Sequence, residues 1–282
     1  MSEYVSTRLP SRIKIVLLDA VGTALTLQRS VAECYLEVAN EVGIELQQGV
    51  IQGRFPTAFE RNFCPWQSEL PPDWRAAEKD WYINGSVVNM WLKAPTTIEQ
   101  FASRFSFPVS ESREYSSWAK LVSEVLLPVN GAGSSLVLDA AFQKLWKLFA
   151  DPKSWRLMPG VTELVERLQA LGLQVCLASN FDRRLHQIMA GFTRELRMDA
   201  IFVSSELGFR KPDPKFYGEV LGRIGCRAEE VAMVGDRWWE DFAAPTTVGI
   251  SSFLLMPNQN PTQSKAADDR PECLRSLLDL LT

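Results

Sequence analysis

The feature that most constrains the fold is a short apolar segment that recurs along the chain and is followed each time by polar or glycine residues. The β-branched content of these segments, their length of about four to six residues and their polar ends favour buried strands over helices. The five candidate strands are Ile13–Leu18, Leu173–Ala178, Ala200–Val203, Val231–Val234 and Ile250–Leu255.

Helix-like patterns separate the later strands. They span Val161–Leu171, Arg184–Ala190 and Phe216–Ile224, and the first of them has Pro159-Gly160 before it and Gly172 after it. Strands that alternate with helices form right-handed βαβ units and a parallel sheet. The sequence therefore predicts an α/β fold with a doubly wound, Rossmann-like parallel sheet.

The stretch between the first strand and the second breaks this alternation. Helix-like patterns at Val31–Val42, Trp74–Leu92 and Leu138–Phe149 are separated by proline-containing segments. Seven of the nine tryptophans of the chain lie here, as large apolar side chains from which a small helical unit can build a core. We therefore expect an α/β core made of residues 1–23 and 156–282, with a mostly helical domain, residues 24–155, inserted after the first strand.

Composition excludes several kinds of site and partner. The single histidine, His186, rules out a metal site with two or more histidines of this chain, and we expect it to be a solvated helix residue. A net charge of −4 without a basic stripe argues against nucleic acid as the main partner. Five scattered cysteines and the lack of a long apolar run predict a reduced, cytoplasmic protein that has no membrane partner.

Polar side chains follow the predicted strands at the points where the strands end. Asp19 follows the first strand, Ser179 and Asn180 follow the second, and Asp236 lies just beyond Val231–Val234, with Asp241 five residues further on. Ligands of open parallel sheets bind at the carboxyl ends of the strands. Carboxylates from two strands suit Mg²⁺, and a hydroxyl, an amide and a lysine such as Lys211 can hold a phosphate.

Four segments in this order resemble the motifs of the haloacid dehalogenase superfamily of hydrolases. They are Asp19-Ala20-Val21-Gly22-Thr23, Ser179, Lys211 in Lys-Pro-Asp-Pro, and Gly235-Asp236 followed by Glu240-Asp241. The resemblance implies that the helical insert is a cap and that the substrate is a small phosphorylated metabolite. It also implies three sets of residues: a catalytic set of Asp19, Ser179 and Lys211; a phosphate-binding set of Thr23, Ser179, Asn180 and Lys211; and a Mg²⁺ site of Asp19, the Val21 carbonyl, Asp236 and Asp241.

Val21 departs from the pattern of the phosphatases in this superfamily, which carry a second aspartate two residues after the nucleophile. A valine side chain cannot transfer a proton, and general acid–base catalysis contributes about 10²–10⁴ in rate. Slow phosphatase activity, favoured by acyl or aryl phosphates with good leaving groups, is one interpretation. A binding or regulatory protein that has lost catalysis is another, and a haloacid dehalogenase is a third. A phosphonate-cleaving enzyme is not favoured, because it would need a lysine early in the insert, and the first lysine after Asp19 is Lys79, well into the insert.

Trp238 and Trp239 follow the last motif glycine and aspartate. Adjacent residues do not share one face of an α-helix, so we expect at least one of the two to leave the local core.

Overall fold

A parallel sheet forms the centre of the molecule, as the sequence predicts, and among the described residues it has six strands, one more than the five candidates. The computed structural model describes residues 8–65, 67, 106–127, 134–256 and 273–282. The strands are Ile15–Leu18 (β1), Gln174–Ser179 (β4), Ala200–Val203 (β5), Val231–Gly235 (β6), Ser251–Leu255 (β7) and Cys273–Leu274 (β8). They lie in the order β5-β4-β1-β6-β7-β8.

Helices cover both faces of this sheet, which confirms the doubly wound α/β class. Alternate residues of β1 point to opposite sides, with Ile15 and Leu17 in one buried cluster and Val16 and Leu18 in the other. Val161–Ala170 and Arg184–Ala190 pack on the second of these sides, whereas Pro214–Ile224 packs on the first. Strands β4 and β5 lie on one side of β1, and β6 lies on its other side. This reversal of strand order leaves a crevice at the carboxyl end of β1.

Among the described residues, four helices lie between the first strand of the sheet and the next one along the chain. They are α1 (Val31–Glu41), α2 (Gln48–Phe63), α3 (Glu111–Leu126) and α4 (Ser135–Leu148). The later helices are α5 (Val161–Ala170), α6 (Arg184–Ala190), α7 (Ser204–Leu207), α8 (Pro214–Ile224) and α9 (Ala244–Thr247). The helix expected at Trp74–Leu92 and Lys79 lie outside the described residues.

A short antiparallel pair of strands lies at the two ends of this helical segment. Strand β2 (Leu25–Leu27) pairs with β3 (Trp155–Leu157), so that Leu25 is opposite Leu157. The pair coincides with the domain boundaries expected at residues 24 and 155. The division into two domains itself stays a prediction.

Trp238 and Trp239 are both buried in a cluster that also contains residues of the helical insert, so the expectation that one of them leaves the local core stays a prediction. They are 9% and 4% exposed and belong to the same buried cluster as Phe216. The expectation assumed an α-helix, but Trp238–Ala243 form a wider π-helical turn directly after β6. The Trp238 ring stacks on Phe242 at a centroid distance of 4.7 Å.

All five cysteines are free thiols, and every one except Cys226 is buried.

Within the part of the chain that the structure describes, none of the helices has both the length and the apolar composition needed to cross a membrane.

Candidate active site

The polar residues expected at the strand ends meet in one pocket of about 350 Å³. Asp19 follows β1, Ser179 ends β4, and Asp236 follows β6, so the parallel sheet brings them to one edge. The remaining predicted residues on this pocket are Val21, Asn180, Lys211 and Asp241. Thr23 is the exception among the predicted site residues.

Thr23 is not among the residues that line the pocket. Its side chain is fully buried, and its hydroxyl has no hydrogen-bond partner among the described residues. The backbone around it forms a tight turn in which the Ala24 and Leu25 amides both donate to the Ala20 carbonyl. The expected contact of Thr23 with phosphate stays a prediction that this geometry does not favour.

Lys211 connects the strands across the site. Its Nζ donates to Asp19 Oδ1 at 2.7 Å, to Asp241 Oδ1 at 2.5 Å and to the Ala178 carbonyl at 3.0 Å, and the side chain is 2% exposed. Burial by itself would lower the pKa of Lys211, but Asp19 and Asp241 outweigh it and raise that pKa above its ordinary value. Lys211 is therefore an ammonium ion held directly beside the Asp19 carboxylate.

Asn180 fixes the backbone of Lys211. The Asn180 side-chain amide donates to the Lys211 carbonyl at 2.8 Å, and its oxygen accepts from the Lys211 backbone amide at 2.7 Å. This reciprocal pair ties the end of β4 to the loop that carries Lys211. Asn180 thereby positions the lysine, in addition to lining the pocket.

Three carboxylates converge at the same place. Asp19, Asp236 and Asp241 each offer an oxygen, and these oxygens lie within 4.8 Å of one another. Asp236 Oδ1 is buried and has no hydrogen-bond partner among the described residues. Burial, together with the nearby Asp19 charge, raises the pKa of Asp236 to about 6. A buried carboxylate oxygen without a donor is suited to a divalent cation, and oxygen ligands are those that Mg²⁺ prefers.

Glycines allow these carboxylates to approach the backbone. Gly22 has a φ of +97°, and a Cβ at this position would lie 2.5 Å from Asp236 Oδ2. A Cβ at Gly235 would lie 2.3 Å from the Asp241 side chain. Both glycines belong to the motif segments, and their lack of a side chain leaves room for the acidic groups.

The contacts of Asp241 differ from those of the other two acids. Its Oδ1 accepts from Lys211 at 2.5 Å, and its Oδ2 accepts from the Arg237 backbone amide at 3.1 Å. Burial raises the pKa of Asp241, and the Lys211 ammonium opposes this increase. Since both oxygens already accept hydrogen bonds, Asp241 is better placed to position Lys211, whereas Asp19 and Asp236 have oxygens available to a metal ion.

Several pocket residues were not identified from the sequence. Arg210 and Arg237 each adjoin a predicted site residue, and that adjacency is a signal that could have found them. Phe59, Phe63 and Cys64 come from the end of α2, where the sequence carries no motif. The pocket is therefore built from the sheet edge and from the helical segment together.

His186 lies away from this pocket, as expected. It belongs to α6, its side chain is 41% exposed, and its Nε2 lies 3.0 Å from Glu206 Oε2.

Comparison with known proteins places this architecture among hydrolases. The family model of the haloacid dehalogenase-like hydrolases matches residues 13–249. Haloacid dehalogenase-like hydrolase domain-containing protein 3 of Danio rerio is 26% identical over 95% of both chains. Ribulose-1,5-bisphosphate 5-phosphatase of Halopiger xanaduensis is 28% identical over 48% of this chain and 55% of its own length. The crystal structure of a defluorinating L-2-haloacid dehalogenase shares the fold, with a TM-score of 0.59, 14% identity and coverage of 95% of this chain and 94% of that one.

Proposed function

This chain belongs to the haloacid dehalogenase-like hydrolase family, and we propose that it is a slow, Mg²⁺-dependent phosphatase of a small phosphorylated metabolite. The observation that carries the proposal is the contact of the buried Lys211 ammonium with Asp19, beside the unpartnered oxygen of Asp236. A cation next to a nucleophilic carboxylate suits attack on an anionic phosphoryl group. The phosphatase name of the Halopiger relative supports the same reaction class.

In the proposed mechanism Asp19 attacks phosphorus and Ser179 with Lys211 holds the phosphoryl oxygens. Negative charge increases on those oxygens in the transition state, so fixed donors that face them lower the barrier. Asp19, Asp236 and the Val21 carbonyl would hold Mg²⁺, which neutralises phosphoryl charge when bound. Asp241 and Asn180 keep Lys211 in place through the hydrogen bonds described above.

We further propose that residues 24–155 act as a cap over the site. The end of α2 contributes Phe59, Phe63 and Cys64 to the pocket that contains Asp19. Apolar side chains at this position exclude water from the phosphoryl group and restrict the shape of the rest of the substrate.

A binding protein that has lost catalysis is the second candidate, and Val21 is the observation that favours it. The Val21 side chain is 40% exposed and lines the pocket two residues beyond Asp19, where it offers no proton. A dehalogenase, in which halide leaves without a proton, is less favoured because the unpartnered Asp236 oxygen suits a metal ion.

Phosphate release separates these candidates. The full chain is assayed with Mg²⁺ on a panel of phosphate esters that includes acetyl phosphate, with Asp19→Asn as the control. Release that depends on both Mg²⁺ and Asp19 supports the phosphatase. Binding of inorganic phosphate without release above the control would favour the binding protein, and halide release from 2-chloropropionate without metal would favour the dehalogenase.

A further inference from the structure

We propose that the leaving group of the substrate is an aromatic alcohol, so that the enzyme acts on aryl phosphate monoesters. The inference rests on the proposed phosphatase function and specifies its substrate class. It combines two independent features of the pocket, which are the apolar side chain at position 21 and an aromatic wall supplied by α2.

The first feature is that the side chain two residues beyond Asp19 cannot donate a proton to a leaving oxygen. Val21 occupies the position beside Asp19 and has no ionisable group. Arg210 and Arg237 also line the pocket, but a guanidinium does not release its proton in a protein. Burial raises the pKa of Cys64 to about 12, which is above that of a phenol. A substrate whose leaving oxygen departs as a stable anion therefore suits this site, and phenols meet that requirement whereas alkyl alcohols do not.

The second feature is an aromatic wall formed by Phe59 and Phe63. These residues are one helical turn apart on α2, and their rings stack at a centroid distance of 5.1 Å with an interplanar angle of 28°. The Trp118 ring, on α3, packs against Phe63 at a centroid distance of 4.6 Å. Both phenylalanines line the same pocket as Asp19, and Phe59 offers the larger surface because Phe63 is only 2% exposed. Aromatic rings prefer to pack against other aromatic rings, so this wall distinguishes an aryl ester from an acyl phosphate of similar reactivity.

Arg210 adds a positive charge at the edge of this wall. Its guanidinium lies 5.0 Å from the centroid of the Phe63 ring, and its Nε is buried without a hydrogen-bond partner among the described residues. Glu114 Oε1 lies 3.5 Å from Nη2 of the same guanidinium and partly neutralises it. The charge that remains favours a leaving group that becomes negatively charged while it still contacts the aromatic wall.

The reaction divides into two steps of unequal rate. An Asp19 carboxylate oxygen bonds to phosphorus. The bond between phosphorus and the phenolic oxygen breaks, and the phenolate leaves with the electron pair of that bond. Water then attacks phosphorus, the bond to the Asp19 oxygen breaks, and orthophosphate forms while the proton of the water passes to bulk solvent. Because Val21 cannot accept that proton, the second step is slow and the aspartyl-phosphate accumulates.

Rapid-mixing kinetics with 4-nitrophenyl phosphate and Mg²⁺ test this inference. We expect a burst of about one nitrophenolate per enzyme, followed by slow turnover. Across substituted phenyl phosphates the burst rate should fall as the pKa of the phenol rises. Glycerol 3-phosphate should react about 10²–10⁴ times more slowly than the aryl esters, because an alkoxide needs the missing acid.

Two variants separate proton transfer from recognition of the ring. Val21→Asp should raise kcat/KM for glycerol 3-phosphate by about 10²–10⁴ relative to Val21→Asn, because asparagine has the shape of aspartate but no proton to donate. Phe59→Leu should lower kcat/KM for phenyl phosphate about 2- to 10-fold relative to that for acetyl phosphate.

The outcomes distinguish this inference from the proposed function. Asp19-dependent phosphate release with equal rates for alkyl and aryl esters would keep the phosphatase and overturn the aryl class. A preference for acetyl phosphate over the aryl esters would also overturn the aryl class if Phe59→Leu leaves that preference unchanged. Absence of Asp19-dependent release from every ester, acetyl phosphate included, would overturn both.

Discussion

Replacing Asp236 with asparagine should stabilise the metal-free protein at neutral pH. Asp236 Oδ1 is buried without a hydrogen-bond donor, and burial together with Asp19 raises the pKa of this carboxyl from 3.8 to about 6. A difference of that size corresponds to about 3 kcal/mol at about 1.4 kcal/mol per pH unit. Because part of the side chain reaches solvent, we expect a gain of about 1–3 kcal/mol in the free energy of unfolding.

The pH dependence follows from the direction of the shift. The folded state binds the proton of Asp236 more tightly than the unfolded state. The loss of stability caused by ionised Asp236 is therefore absent below about pH 4, grows between pH 4 and 6, and is complete above pH 6. Urea unfolding in EDTA at pH 7.5 and at pH 4 should therefore show a gain for Asp236→Asn only at the higher pH. Mg²⁺ at about one hundred times its dissociation constant should stabilise the wild type by about 2.7 kcal/mol and the variant much less.

Asp182→Asn is the matched control for this experiment. Asp182 is also buried, but its two carboxylate oxygens accept from Arg184 at 2.8 and 2.6 Å. Removing its charge should destabilise the protein by about 3–5 kcal/mol, because a buried guanidinium loses its partner. The reasoning is refuted if Asp236→Asn destabilises the metal-free protein at pH 7.5, or if its effect is the same at both pH values.

Two further predictions concern the packing of the site and of the helical segment. Gly22→Ala should lose most of the Mg²⁺-dependent rise in Tm, because its Cβ would lie 2.5 Å from Asp236 Oδ2. Gly43→Ala is the control, since it has similar backbone strain but open space around it, and it should keep that rise. Equal Mg²⁺ responses in the two variants would contradict the crowding argument. Trp146→Leu should reduce the free energy of unfolding in urea by about 2–4 kcal/mol, because the buried Arg184 guanidinium lies 3.5 Å from the Trp146 ring centroid. A loss below about 0.5 kcal/mol would show that this contact contributes little.

Much of the sheet and its polar edge could be predicted from the sequence because the signals are local. A buried parallel strand must be apolar along its whole length, so its end is visible where Asp19 or Ser179 appears. Parallel strands then place those ends on one edge of the sheet without further information. The predicted strand at Ala200–Val203 has the same bounds in the structure, and the others differ by one or two residues.

Features that depend on how helices dock could not be predicted in this way. Phe59 and Phe63 line the pocket because the end of α2 lies beside it, and nothing in their local sequence distinguishes them from ordinary core residues. The turn after β1 buries Thr23, although its place in the motif predicts a phosphate contact. Trp238 and Trp239 show a similar limit, since the helical period used for the prediction does not apply to a π-helical turn.

The antiparallel pairing of β2 with β3 has a consequence for how this architecture can change over evolutionary time. Leu27 and Trp155 are partners in the pair, so the two ends of the helical segment between β1 and β4 lie side by side. The entropy of closing a loop increases only slowly with its length, and here the closure is already made by backbone hydrogen bonds. Insertions and deletions between these two strands can therefore accumulate without disturbing the register of the parallel sheet, so that the pocket wall can diversify while the aspartates and the lysine stay in place.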